Sequence, residues 1–142
     1  MPYAAIQHDK DPKELILQRV GDVSGYELIA PNKVMIVLYT RPSRTKSGII
    51  LTDKTLDEDK YQSKCGLVIA MGALAFQDDE NIRFGGKRID IGDWVAFRPG
   101  DAWPLQLPNK LKGEPGEDET VHCRLIDDYL IQMRVISPDH LY

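Results

Sequence analysis

Residues 34–72 read VMIVLYTRPSRTKSGIILTDKTLDEDKYQSKCGLVIAMG. Val34 to Tyr39 is a continuous apolar run rich in β-branched side chains, and Cys65 to Met71 is a second. Each has the length and composition of a buried strand. Between them, residues 40–64 are mostly polar and charged, and their one run of consecutive apolar side chains is Ile49-Ile50-Leu51, just after Gly48. A loop of this size inside a domain is uncommon and usually functional or disordered. Its apolar centre reads as a tethered hook; the alternative is that Ile49 to Leu51 complete a strand of their own domain. Burying the three side chains on a partner contributes roughly 1.5–3 kcal/mol each, whereas fixing loop backbone costs about 1–2 kcal/mol per residue. One copy therefore binds weakly, and firm attachment needs several linked copies.

Outward from this stretch, the chain of 142 residues supports a single core. The formal charge of -4, with 18 Lys and Arg and no basic block, gives no footprint for nucleic acid. No run is apolar and long enough to cross a membrane, and the N-terminal sequence MPYAAIQHDKDPKE lacks the basic region and apolar core of a signal peptide. The expectation is a protein of the cytoplasm with neither nucleic acid nor membrane as partner. Cys65 and Cys123 stand far apart in apolar runs and read as buried free thiols in a reducing compartment.

Residues 1–25 read as an N-terminal extension with a short helix over Pro12 to Val20. Asp11 suits the N-cap, Pro12 the first helical position, Glu14 the first turn and Gly21 the end. Leu15, Ile16 and Val20 form its apolar side, which must dock on its own domain or on a neighbouring subunit. Residues 26–136 read as strands and turns. A hairpin excursion is expected over 73–91, turning at the acidic stretch Gln77 to Asn81 or at Gly85-Gly86. Trp94 to Phe97 follows as a buried strand ended by Pro99-Gly100. Asp101 to Glu119, with its prolines and glycines, reads as loop with a short strand at Leu105 to Leu107. Val121 to Ile126 and Tyr129 to Val135 are the last two strands, and 137–142 is a tail. The fold class is mainly β, a small partly open β-barrel with one short helix.

Catalytic and metal-binding patterns are not found. Gly85-Gly86-Lys87 lacks the spacing and the following Ser or Thr of a phosphate loop. His8, His122 and His140 share no metal spacing with one another or with the cysteines. The acidic runs Asp57 to Asp59 and Asp78 to Glu80 lack the alternation of a calcium loop and any arrangement that would hold two carboxyl pKa values apart. No enzyme activity, metal or cofactor is expected.

Four segments in order carry a resemblance: Asn32 to Val37; Thr45-Lys46-Ser47-Gly48-Ile49-Ile50-Leu51-Thr52; Gly66-Leu67-Val68-Ile69-Ala70-Met71-Gly72; and Ile91-Gly92-Asp93-Trp94-Val95-Ala96-Phe97. In sequence and spacing they resemble the GroES co-chaperonin family, with Cys123 to Val135 similar to its last two strands. The resemblance implies a GroES-like barrel that assembles as a seven-membered dome, with a roof hairpin within 73–91 and a mobile loop at 40–64. It implies that Ile49, Ile50 and Leu51, presented by the turn at Gly48, dock on a chaperonin ring. It also implies a homo-oligomer whose subunit interface joins Val34, Met35, Ile36 and Val37 to Leu130, Ile131, Met133 and Val135 of the next copy. The extension before the first strand and the tail exceed the family's short members and look like the co-chaperonin-related proteins of bacteriophages. That opens an alternative, a virion structural protein that clamps phage capsid or tail subunits, placing it in the host cytoplasm or in the virion.

Overall fold

In a computed structural model that describes residues 11–41 and 63–141, the run KVMIVL folds as strand β1 (Lys33–Leu38). Cys65–Met71 forms β2, Trp94–Phe97 β3, Trp103–Pro108 β4, Thr120–Asp127 β5 and Ile131–Val135 β6. They make one antiparallel six-stranded sheet in the order β4-β5-β1-β2-β3-β6. The expected mainly β class with one short helix is what is observed. The ladder is open among the described residues: β4 and β6 are its two edges and do not pair with each other.

Two irregularities bend the sheet. Met35 faces Ala70 while Ile36 faces Val68, so Ile69 is an extra residue on β2; Ala96 faces Met133 while Phe97 faces Ile131, so Gln132 is extra on β6. Such bulges increase the local twist. Gly66 has a packing reason to be glycine, since a Cβ there would overlap the Ile36 side chain and the Val37 carbonyl oxygen.

Because successive strand residues point to opposite faces, the unbroken apolar run of β1 divides between two cores. Met35, Val37 and Tyr39 join Leu67, Ile69, Trp94, Leu107 and Cys123 in one cluster; Val34, Ile36 and Leu38 join Val68, Val95, Phe97 and Ile126 in the other.

Helix α1 (Pro12–Val20) covers the first cluster with Ile16 and Val20, so the apolar side of the helix docks on its own domain. Its end is tied to the β4–β5 connection, where Arg19 bonds both Glu117 carboxylate oxygens at 2.7 and 3.0 Å and the Lys110 amide donates to the Arg19 carbonyl. Gly21, at φ 65°, closes the last turn as expected. Asp11 makes no side-chain cap bond, so the expected acceptor role is not used and the first turn rests on Pro12 and Glu14.

Residues 72–93 cover the second cluster with Phe76, Phe84 and Ile89. The hairpin expected over 73–91 is not formed as a strand pair: the segment is a succession of turns. β4 also differs from expectation, running through Pro104 and Pro108 rather than stopping at Leu105 to Leu107. As an edge strand it can direct positions without a donor away from the ladder.

Candidate functional site

The residues expected to dock, Gly48, Ile49, Ile50 and Leu51, lie outside the described residues. What the structure gives is the root of their segment. The Tyr39 amide donates to the Cys65 carbonyl (2.9 Å) just past the last β1–β2 register pair, Leu38 with Gly66. On the other side the Phe97 amide donates to the Lys64 carbonyl (3.0 Å). Ser63, 3 % exposed, turns its hydroxyl onto the Cys65 backbone. Tyr39 stands edge-on to Trp94, ring centroids 5.8 Å apart. The segment 40–64 therefore leaves and re-enters at adjacent positions of two central strands, and any load on it passes into the middle of the sheet.

The expected subunit-interface residues are split by the topology. Val34, Met35, Ile36 and Val37 are 0–1 % exposed, and β1 is bonded on both sides, to β2 and β5. In this single chain they are interior to the sheet, and no partner copy is present against which the expected contact could be placed. Leu130 and Ile131 pack against the second cluster and Val135 against the first, while Met133 is 47 % exposed on a strand whose outer edge is unpaired among the described residues. Tyr129 and Ile136 are exposed on either side of β6.

Sequence reasoning passed over a second exposed apolar element. Residues 26–30 precede β1 without joining a ladder; Leu28 packs inward while Tyr26 and Ile29 are exposed, Ile29 at 79 %. The cluster of apolar residues in YELIA, next to the turn-forming Pro31-Asn32, was the available signal.

Chemically reactive groups are subdued. Both cysteines are free and buried, and burial pushes each thiol up to about 12, so neither is a thiolate at neutral pH. Arg124, 7 % exposed on β5, is shifted downward by burial and donates to the Cys123 carbonyl. Among the described residues no group of three His, Cys, Asp or Glu could hold a metal ion, and no helix is long and apolar enough to cross a membrane. An open cleft of about 360 Å³ lies beside the start of α1, between Lys13, Trp94 and Ser137, with Asp11 and Asp139 on its walls.

The clearest buried charge is Asp128, 1 % exposed, in the single turn Asp128–Leu130 that leads into β6. Its carboxylate accepts from the Phe76 amide (2.9 Å), Asn32 Nδ2 (3.2 Å) and Arg83 Nη2 (3.0 Å). Arg83 in turn lies over the Phe84 and Tyr129 rings.

Comparison with models of protein families and with curated proteins finds no match to this chain.

Proposed function

We propose that this chain is a co-chaperonin-like lid: an oligomer that binds a chaperonin ring through the apolar tripeptide Ile49-Ile50-Leu51, presented at Gly48, and so assists protein folding. The observation that carries this reading is the root of segment 40–64, clamped between neighbouring central strands by the Tyr39–Cys65 and Lys64–Phe97 backbone bonds. A weak apolar hook becomes useful when its base is rigid, because copies held at fixed spacing act together. Ordering the hook on each docking event costs free energy and keeps release possible.

Two exposed elements support assembly into an oligomer. β6 carries no proline and exposes Met133, whereas the other edge, β4, contains Pro104 and Pro108, which blunt it. Residues 26–30 expose Tyr26 and Ile29 without a ladder of their own. Joining residues 26–30 of one copy to the β6 edge of the next is a head-to-tail contact, the kind that closes rings.

A pull-down on a bacterial chaperonin in the presence of nucleotide tests the reading. Retention of the wild-type protein is expected, and its loss in the triple variant Ile49→Asp, Ile50→Asp, Leu51→Asp. Failure of the wild type to bind, or undiminished binding by the triple variant, removes the mechanism. Recovery at fixed stoichiometry from purified virions would instead assign the hook to a capsid or tail subunit.

A further inference from the structure

Residues 72–93 cover one face of the sheet without lending it a strand, and their bonds fall into two sets. One set is internal. The Asn81 amide donates to the Asp78 carbonyl and the Lys87 amide to the Phe84 carbonyl, and the Asp78 carboxylate gathers the amides of Ile82, Arg83 and Phe84 at 2.8, 3.0 and 2.7 Å.

The other set crosses to the rest of the molecule, and it is concentrated. At the two roots the Gly72 amide donates to Lys33, that of Leu74 to Pro31 and that of Gly92 to Val68. Between the roots the crossing polar bonds come from the β5–β6 corner and β6: Asp128 holds the Phe76 amide and the Arg83 guanidinium, and Arg134 donates to the Arg88 carbonyl at 2.6 Å. The remaining hold is apolar, through Phe76, Phe84 and Ile89; the Phe84 ring stands edge-on to Tyr129, centroids 6.0 Å apart, while its tilted contact with Phe76 at 5.2 Å lies within the segment.

We infer that residues 73–91 are a strap that opens as one unit from the sheet, with Asp128 as its latch, while the six strands stay paired. Lifting the strap breaks the Asp128 and Arg134 bonds and the contacts of Phe84 and Arg83 with the Tyr129 ring, but no bond of any strand ladder. The internal set needs no partner outside the strap, so the segment stays folded on itself as it lifts. Segments attached by few crossing contacts open below the free energy of global unfolding, and do so as cooperative units. The latch has the character of a single control point: a carboxylate buried from water, whose charge is matched by one cation from the strap. Once open, the strap uncovers an apolar face made by Val34, Ile36, Val68, Val95 and Phe97.

Native-state hydrogen exchange on the full chain tests this. The Phe76 amide, released from Asp128 when the strap lifts, should exchange about tenfold or more faster than those of Ile36 and Val37, while the amides of Phe84 and Lys87, bonded within the strap, stay protected beyond it. Asp128→Asn keeps the size of the side chain but removes the ion pair. It should speed Phe76 exchange about tenfold further, with β1, β2 and β5 unchanged. A Phe76 amide that exchanges only together with β1, or an equal acceleration of Phe76 and the sheet, would overturn the inference. Arg83→Gln covers the case in which Asp128→Asn does not fold. It leaves the Asp128 bonds to Phe76 and Asn32 in place, and should produce a smaller acceleration confined to the strap; a uniform acceleration counts against the latch.

Discussion

On one face of the sheet Met35, Val37, Trp94 and Cys123 lie under helix α1 and edge strand β4; on the other, Ile36, Val68 and Phe97 lie under residues 72–93, which contain neither helix nor strand. The two covers solve the same problem differently. A helix bonds most of its own amides and carbonyls, so α1 can rest Ile16 and Val20 on an apolar surface and keep the long-range ion pair of Arg19 with Glu117 at the rim. A strap of turns leaves amides over that must be satisfied when buried. Here carboxylates take them: Asp78 takes three from within the strap, and Asp128 takes Phe76 from beneath it. The buried acid is the consequence of covering a core without regular structure.

The largest effect expected is on the helix-covered face. Trp94 is 5 % exposed and edge-on to Tyr39, beside the root of segment 40–64. Trp94→Ala should lower unfolding free energy by about 3–5 kcal/mol, with an unchanged denaturant slope. A loss below about 2 kcal/mol would mean that this face is loosely packed, and the contrast with the strap would fail.

Both thiols belong to the helix-covered cluster and none to the other, so they report the opening of one face alone. Buried thiols held up to about 12 are neutral in the fold, and a disulfide reagent at mildly alkaline pH must wait for that face to open. Arg19→Ala removes a partly exposed ion pair, for which about 0.5–1 kcal/mol is expected, so labelling should quicken about two- to fivefold. Asp128→Asn, acting on the opposite face, should leave the labelling rate unchanged; equal acceleration by both variants would show that the faces open together. The pH dependence has a definite sign. The folded value of each thiol lies above its ordinary 9.0, so this contribution to stability is intact below about pH 9 and is lost as pH rises towards 12.

Much of this division was legible locally. VMIVLY, CGLVIAM and WVAF read as buried strands because each is a short apolar run between turn formers, and Pro12 to Val20 as a helix because proline and glycine bracket it. What escaped depends on distant pairing. β1 lies between β2 and β5, so the side chains expected at a subunit contact are interior; nothing within KVMIVL encodes that neighbour. Asp128 reads as an ordinary turn acid until Arg83 and Phe76, 45 and 52 residues away, close over it. Pro104 and Pro108 suggested loop because the edge position that tolerates them is a property of the whole sheet. The strap resembled a hairpin through its acidic tip and paired glycines, yet Ile82 with Phe84 and Ile89 with Ile91 are single pairs two residues apart, separated by the polar stretch 85–88, too short a period-two run to build a ladder. For the candidate docking site, the sequence supplied the tripeptide and the structure supplied its root.

The smallest effect lies within the strap. Asp78 is half-buried, and partial loss of water pushes its carboxyl up, but the amides of Phe84, Arg83 and Ile82 outweigh this and hold it below its ordinary 3.8. A carboxylate with a depressed folded value stabilises above its unfolded value, and that contribution is lost as pH falls through the folded one. Acid should therefore loosen the internal bonds of residues 78–84 below about pH 3.8. The check is an NMR titration of the Ile82, Arg83 and Phe84 amide shifts, in which a common midpoint below 3.8 is expected, and its disappearance in Asp78→Asn. A midpoint at or above 3.8 would mean that the three amides do not bond the carboxylate in solution. The strap could not then lift as a folded unit, and the difference between the two covers would reduce to packing alone.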